Sequence, residues 1–456
     1  MAELLSVGLD VGTTTTQLIF SRLQVENRAG AFAVPDLDIT RRQVIYESPV
    51  YLTPLVGKDL VDAQALRELV GEEYRRFGVT PQQVDTGAVI ITGETSRKEN
   101  ARQVLEALSD FAGDFVVATA GPHLESVLAA KGAGAVEASR EGRLLHMDIG
   151  GGTSNLALLE DGKILQTGCL NVGGRLVKFD QTHKITDLSP VLQGLTELQV
   201  GETVTEERLR PLGKLLCRAL EMAAGLRPRE ALLERLSTAE AGETMEPAPD
   251  GCRFCFSGGV AECIRHPTRW DQFGDLGPVL GNCIRESPLY RRCVPGRQTL
   301  RATVIGAGCH STQLSGSTVF CHGVELPLKN LPVVCFDRRQ QESPDLPRLI
   351  DQRCSVEDTT PVLAFPGMEG DYGALRQLAQ RIAASGVRPL YVAVEQDMAK
   401  ALGQRLCLER PAEPVLCLDG LRLDQGSFLD VGKPLGPTFP VVIKTLVLTK
   451  NQSPDR

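Results

Sequence analysis

A chain of 456 residues, 42% hydrophobic and 23% charged, is long enough for about two to four globular domains, each with its own core. The net charge of −8 and the lack of a basic run argue against a nucleic-acid-binding surface. No apolar stretch reaches the roughly 18 residues of a membrane helix, and an acid stands where a signal peptide would carry basic residues. The sequence therefore predicts an intracellular protein that contacts no membrane.

The N-terminal part of the chain is predicted to form an α/β unit over residues 1–142. Apolar runs predict a hairpin over 5–23 that an acidic turn interrupts. The spacing of apolar residues predicts a helix over 60–77, which Asp59 caps and Gly78 ends. The other predicted elements of this unit are an extended stretch over 43–55, strands at 88–92 and 115–119, and helices at 98–109 and 123–131.

A second unit is predicted over residues 143–329, with a polar and mostly helical insertion over 184–250. Its predicted strands lie at 143–147, 155–160, 164–168, 254–256 and 301–305, and its helices at 205–224, 228–238 and 261–266. Cys252 and Cys255 have the spacing of half a zinc site, but no second close pair follows at the usual distance. Alternation around these cysteines favours a strand instead.

Residues 330–456 return to alternating apolar strands and helices, which predicts a third α/β unit. Its predicted elements are strands at 333–336, 362–365, 390–394, 415–418 and 441–448, and helices at 372–385 and 397–406. We interpret this unit as the part that faces a protein partner, because it contains no recognisable nucleotide-binding turn.

The most informative pattern is an acidic turn that occurs twice. Asp10 aligns with Asp148, and glycines and threonines follow each acid before the next apolar run. Such turns offer backbone N–H groups, hydroxyls and one carboxylate, which suit a polyphosphate with its magnesium ion. We therefore predict Asp10 and Asp148 to be metal ligands and catalytic residues at a nucleotide held between two lobes. The alternative for each is an aspartate that caps its own turn.

Two more glycine turns are predicted to contribute to the same site. Ser257 begins one, after the strand at 254–256, and Gly306 and Gly308 belong to the other, after the predicted strand at 301–305. The predicted nucleotide contacts are Gly12, Thr13, Thr14, Thr15, Gly150, Gly151, Gly152, Thr153, Ser257, Gly258, Gly259, Gly306 and Gly308. The sequence has neither a P-loop nor a dinucleotide-binding fingerprint, so those classes of nucleotide-binding protein are disfavoured.

The order and spacing of these turns resemble the actin, sugar-kinase and heat-shock ATPase superfamily. The resemblance implies two ribonuclease H-like lobes with ATP and Mg²⁺ between them. Heat-shock chaperones carry a glutamate on the helix before the second acidic turn, and Glu125, in the segment LESVLAA, lies at the corresponding place. The resemblance implies that Glu125 positions the hydrolytic water. The proline of the chaperone motif is absent here, and an exposed helical glutamate is the alternative.

Longer runs are similar to the reactivating factors of ethanolamine ammonia-lyase. These runs include VGLDVGTTTTQLIFSRL, ITGETSRKENAR, ATAGPHLESVLAAKGAGA, MDIGGGTSNLALLEDG and FSGGVAECI. The resemblance implies a chaperone-like ATPase that uses ATP and Mg²⁺ and has ethanolamine ammonia-lyase as its partner. Such a factor exchanges damaged cobalamin on the lyase for adenosylcobalamin, and it is associated with the ethanolamine bacterial microcompartment. A small-molecule kinase and a nucleotide-dependent filament protein of the same superfamily remain the alternatives.

Overall fold

A computed structural model describes residues 2–12, 15–28, 37–56, 60–91, 104, 107–108, 111, 118–119, 122–238, 251–310, 312–354, 360–368, 372–425 and 427–445. Thr13, Thr14, most of the helix predicted at 98–109 and the loop at 239–250 lie outside these residues. Within the described part, no helix is both long enough and apolar enough to span a bilayer.

In its described residues, the first lobe has a six-stranded sheet, a small hairpin and one long helix. In chain order its elements are β1 (Ala2–Val11), β2 (Thr15–Asn27), β3 (Leu37–Glu47), β4 (Tyr51–Leu52), β5 (Leu55–Val56), β6 (Leu60–Val61), α1 (Ala63–Phe77), β7 (Thr86–Ile91) and β8 (Ala118–Thr119). The strand order is β3-β2-β1-β7-β8, with β4 also paired to β2. Strands β1 to β3 are antiparallel, whereas β7 runs parallel to β1 and β8 parallel to β7.

Helix α1 covers this sheet with an apolar face. Phe20 of β2 is fully buried and stacks on Phe77 with ring centroids 4.6 Å apart, while Tyr74 meets it edge-on. The helix begins after Asp62, whose carboxylate accepts a 2.9 Å hydrogen bond from the Ala65 N–H. The predicted cap at Asp59 is therefore wrong, because the first two residues of the predicted helix, Leu60 and Val61, form strand β6 and pair with β5. The predicted end at Gly78 is confirmed by its left-handed φ of 79°.

The second lobe repeats this strand order in a four-stranded sheet. Its elements are α2 (Pro122–Gly132), α3 (Ala135–Ala138), β9 (Leu144–Ile149), β10 (Ser154–Glu160), β11 (Lys163–Leu170), β12 (Val177–Phe179), β13 (Ile185–Leu188), α4 (Glu206–Ala223), α5 (Ala231–Leu236), β14 (Arg253–Ser257), α6 (Gly259–Arg265), α7 (Gly277–Arg285), α8 (Pro288–Arg291) and α9 (Ala302–His310). The order is β11-β10-β9-β14, antiparallel for the first three strands and parallel for the last. The insertion is helical only from Glu206 onward, since strand β13 and loops fill its first part.

Two helices, α2 and α9, cross between the lobes. Helix α2 follows the first sheet but packs on strands of the second, and α9 follows the second sheet but packs on β1 and β2. The strand predicted at 301–305 is therefore wrong, because this segment is the start of α9. A short apolar run looks the same in a buried strand and in a buried helix.

Glycine permits the close crossing of α2 and α9. A Cβ on Gly306 would lie 2.1 Å from the carbonyl oxygen of Leu128, and one on Gly132 would lie 1.8 Å from that of Ala302. Gly308 packs in the same way against Gly8 of β1. These glycines bring the two backbones into direct contact and thereby join the lobes.

The C-terminal unit has an eight-stranded sheet. Its elements are β15 (Thr312–Leu314), β16 (Phe320–His322), β17 (Leu328–Cys335), α10 (Arg338–Glu342), α11 (Leu346–Cys354), β18 (Val362–Phe365), α12 (Tyr372–Ala384), β19 (Leu390–Val394), α13 (Ala399–Glu409), β20 (Val415–Leu418), β21 (Ser427–Val431) and β22 (Pro440–Thr445). The predicted boundary at 330 falls inside β17, and the sheet already includes Thr312–Leu314. Together the three large sheets form an α/β fold in which two lobes share one strand order and a C-terminal α/β unit follows.

Candidate functional site

The same backbone hydrogen bond closes both acidic turns. The Gly12 N–H donates to the Thr15 carbonyl at 2.9 Å, and the Gly150 N–H donates to the Thr153 carbonyl at 2.9 Å. Each turn joins the two antiparallel strands of a hairpin, as the repeated sequence predicts. The two copies therefore share this closing hydrogen bond and their position between paired strands.

Each acid lies opposite an amide side chain. Asp10 of β1 pairs in register with Gln17 of β2, and Asp148 of β9 pairs with Asn155 of β10. The side-chain oxygens of Gln17 and Asn155 are buried and accept no hydrogen bond from any described residue. Each turn thus places a carboxylate next to an amide oxygen that has an unused lone pair, and these are the oxygen ligands that Mg²⁺ and its bound water prefer.

Both turns are supported from behind by groups that the sequence analysis did not single out. The Thr53 hydroxyl donates to the Gly12 carbonyl at 2.8 Å. In the second lobe, the Gly174 N–H donates to the Gly150 carbonyl at 3.0 Å and the Arg175 N–H to the Gly151 carbonyl at 2.7 Å. These contacts join residues distant in the sequence, so no local pattern reveals them.

Two hydroxyls hold the Asp148 carboxylate. Ser257 donates to its Oδ1 atom, and Thr303 of α9 donates to its Oδ2 atom at 3.3 Å. Asp148 is buried, which raises its pKa, whereas the hydrogen bonds from Ser257 and then Thr303 lower it. Because each oxygen already has a donor, the orientation of this carboxylate is defined before any ligand arrives.

Glu125 lies in the first turn of α2 and is affected by the charges of both acids. Burial raises its pKa well above the ordinary value, and the negative charges of Asp148 and Asp10 raise it further. A hydrogen bond from the Asn155 side chain acts in the opposite direction. Glu125 is therefore near enough to Asp10 and to Asp148 to be affected by both charges, and a cation there would relieve this repulsion.

The space next to three glycines of the candidate site is open. A Cβ added to Gly152 or to Gly259 would meet no atom within 4 Å, and one added to Gly150 would meet only the Thr153 carbonyl oxygen at 3.5 Å. Among the described residues, no three His, Cys, Asp or Glu side chains form a metal cluster on their own. Mg²⁺ ordinarily takes only one or two carboxylates, with phosphate oxygens and water completing its shell. The residues present fit Mg²⁺ held together with a polyphosphate.

Several predicted nucleotide contacts have a different role in the structure. Ser257 is fully buried and hydrogen-bonded to Asp148, so it supports the site from behind. Gly258 has φ of 87° and packs so closely on Ile149 that a Cβ would lie 2.4 Å from its carbonyl oxygen. Gly306 and Gly308 form no turn at all, because both are buried within α9. Because these two glycines have no side chain, they permit the close packing of α9 described above.

The described cysteines are all free thiols. Cys252 and Cys255 are buried at and within strand β14, which confirms the strand interpretation of this segment.

Comparison with known proteins places the chain in a family. Residues 2–449 match the family described as "Ethanolamine utilisation protein EutA". The chain belongs to the EutA family. The protein named "Ethanolamine ammonia-lyase reactivase EutA" from Salmonella typhimurium is 39% identical over 470 residues, which cover 97% of this chain and 98% of the relative. The protein of the same name from Escherichia coli is 38% identical over 468 residues, with the same coverage of 97% and 98%.

Solved structures resemble this EutA-family chain in part. The PPX-GPPA enzyme of Aquifex aeolicus has a TM-score of 0.40 and 12% identity, covering 67% of this chain and 99% of that chain. The ethanolamine utilisation protein EutJ of Carboxydothermus hydrogenoformans has a TM-score of 0.36 and 19% identity, covering 68% of this chain and 89% of that chain.

Proposed function

We propose that this chain is an ATP-hydrolysing reactivase whose partner is ethanolamine ammonia-lyase. Two relatives that match it over nearly their whole length carry the reactivase name. The observation that supports ATP hydrolysis is that Glu125, on a helix that crosses between the lobes, is affected by the charges of both Asp10 and Asp148, and that the same hydrogen bond closes the turn after each aspartate. Such an arrangement suits a magnesium nucleotide more closely than a carbohydrate or a peptide.

The proposed roles follow from the position of each group. Asp10 and Asp148 hold Mg²⁺ directly or through water, and the N–H groups of the two turns bind phosphate oxygens. Thr13 and Thr14 lie between Gly12 and Thr15, and they are proposed to contact phosphate with the rest of their turn. When bound, Mg²⁺ neutralises charge that develops on the phosphate oxygens during phosphoryl transfer.

Glu125 is proposed to orient the attacking water and to accept its proton. A hydrogen bond from the Asn155 side chain holds the Glu125 side chain in place. We expect Glu125→Gln to lower the kcat of ATP hydrolysis by about 100-fold, since a positioned base contributes at least that much. Nucleotide affinity should change little, because glutamine keeps the size and removes a negative charge.

The matched control is Glu137→Gln, an exposed glutamate on helix α3 that lies outside the site. Steady-state phosphate release and equilibrium binding of a fluorescent ATP analogue measure the two quantities separately. A Glu125→Gln variant that hydrolyses ATP like the Glu137→Gln variant would remove Glu125 from the mechanism.

Coupling to the lyase is proposed to run through closure of the lobes. Gln17 donates to the Leu300 carbonyl at 3.4 Å and Arg301 donates to the Ser48 carbonyl at 2.8 Å, so the first lobe already contacts the segment leading into α9. A nucleotide bound by both turns favours the closed arrangement through contacts that are lost when the lobes separate. The C-terminal unit is proposed to contact the lyase and to transmit this change to its cobalamin site.

The deciding experiment is recovery of ethanolamine ammonia-lyase that cyanocobalamin has inactivated. We expect recovery when this protein, ATP, Mg²⁺ and adenosylcobalamin are all supplied, and none when a non-hydrolysable ATP analogue replaces ATP. Recovery that ignores the nucleotide would contradict the proposal. Phosphorylation of a small metabolite, or nucleotide-dependent sedimentation without recovery, would instead support the kinase or filament alternative. Association with the ethanolamine microcompartment is part of the same proposal and is checked by fluorescence microscopy of tagged protein.

A further inference from the structure

His146 is a buried histidine directly behind the site. It lies on β9 two residues before Asp148, so both side chains emerge on the same face of the second sheet. Its Nε2 atom is 3.0 Å from the Ser257 hydroxyl oxygen, and the same hydroxyl donates to Asp148. All three side chains are buried, and together they form a chain of hydrogen bonds that ends on the candidate magnesium ligand.

The number of protons available determines the direction of these hydrogen bonds. A serine hydroxyl carries one hydrogen, and an ionised carboxylate can only accept. The Ser257 hydrogen therefore goes to Asp148, and the Ser257 oxygen accepts from His146, which requires the imidazole hydrogen to be on Nε2. The His146 Nδ1 atom is buried without a partner. In this tautomer it is a bare lone pair and not an unpaired N–H donor.

Of the two ring nitrogens, only Nε2 has a hydrogen-bond partner among the described residues. One hydrogen is sufficient for the chain of bonds described, because only Nε2 has a neighbour to which it can donate.

In its described residues, the first lobe has no such chain of histidine and serine hydrogen bonds at Asp10, although the same backbone hydrogen bond closes its turn. The residue two before Asp10 is Gly8, and the strand residue in register with Asp10 is Ile90, where Asp148 has Ser257. Neither glycine nor isoleucine offers a side-chain donor. The buried histidine and serine are therefore not needed to form this type of turn, and their effect falls on Asp148 alone.

We propose that His146 is a positioning residue for Asp148, acting through Ser257. Its Nε2–H holds the serine oxygen, which commits the serine hydrogen to Asp148 Oδ1 and keeps the carboxylate oriented for Mg²⁺. The inference rests on the proposed function for its catalytic consequence, but the tautomer can be measured without it. Supporting groups of this kind typically change metal affinity or activity by about 10- to 100-fold.

The first arm of the test is nuclear magnetic resonance of the full chain with ¹⁵N-labelled histidines. The chain has six histidines, and the His146 signals are those absent from the spectrum of His146→Gln. We expect the ring hydrogen to be on Nε2 at pH 7, whether or not the protein hydrolyses ATP. A hydrogen on Nδ1 with none on Nε2 would overturn the inference even if the reactivase proposal stands.

The second arm uses phosphate release as a function of Mg²⁺ concentration. We expect His146→Leu to lower kcat about 10-fold and to raise the Mg²⁺ concentration needed for half-maximal rate, whereas His146→Gln, which keeps an N–H donor, should recover most of the loss. In a Ser257→Ala background, His146→Leu should have almost no further effect. Equal losses in the leucine and glutamine variants would reduce His146 to a packing residue. Absence of ATP hydrolysis in the wild type would reject the proposed function, and the first arm would then decide the inference.

Discussion

Asp10→Asn is expected to lower Mg²⁺-dependent ATP hydrolysis by about 100- to 1,000-fold, the largest loss that we predict for a single site residue. Asparagine has nearly the same size, so the turn closed by the Gly12 N–H and the Thr15 carbonyl should keep its shape. What disappears is the negative charge that would hold Mg²⁺ on the first-lobe side of the site. Phosphate release over a range of Mg²⁺ concentrations measures the effect.

The matched control for Asp10 is Asp38→Asn. Asp38 lies on strand β3 of the same sheet, is half exposed, and pairs with Arg28 at 2.8 Å far from the turn. An exposed pair of this kind contributes little, so hydrolysis should stay within about two-fold of the wild type. If both variants hydrolyse ATP at similar rates, Asp10 is not a magnesium ligand and its role is limited to capping its own turn.

Gly306→Ala is expected to be the most destabilising of the single changes considered. The new methyl group would lie 2.1 Å from the Leu128 carbonyl oxygen, which belongs to a helix backbone and cannot rotate away. Helices α2 and α9 would have to separate, and overpacking of this severity costs about 3 kcal/mol or more. The change should lower the midpoint of urea denaturation sharply and weaken the attachment of the lobes to each other.

Gly71→Ala is the control for the general effect of replacing glycine in a helix. Its methyl group would be 3.7 Å from the Phe111 ring, an ordinary contact, and alanine favours helix by about 1 kcal/mol. We therefore expect Gly71→Ala to raise the urea midpoint or leave it unchanged. If Gly306→Ala behaves in the same way, α2 and α9 do not cross as closely as described.

Predictions that depend on short sequence patterns succeeded for the position of the two turns. The repeated acid and glycine pattern identified both turns, and the aligned positions of Asp10 with Asp148 and of Gln17 with Asn155 occupy equivalent registers in the two hairpins. Such turns are local structures, in which chain direction, glycine and one carboxylate are all specified within about six residues. The same locality explains why most strands of the C-terminal unit, among them Val362–Phe365 and Leu390–Val394, lie where their apolar runs predict.

Predictions failed where a residue's role depends on a distant neighbour. The segment from Ala302 contains an apolar run and two glycines, which is compatible with a strand and a turn as well as with a helix. Only contact with Leu128 and Gly8 selects the helix, because the glycines allow its backbone to approach theirs. Thr53 and Thr303 were missed for a similar reason, since nothing near them in the sequence indicates the atoms to which they donate.

The sequence by itself determined the fold class, the two acidic turns and the family, because hydrophobic periodicity, turn residues and long matching runs are all properties of neighbouring residues. Tertiary structure alone decided which groups share the site. It places Glu125 near both aspartates. It also shows that Ser257, predicted to contact the nucleotide, is hydrogen-bonded to Asp148 and to His146. These assignments depend on distances between strands and helices that are far apart in the chain, and folding sets those distances.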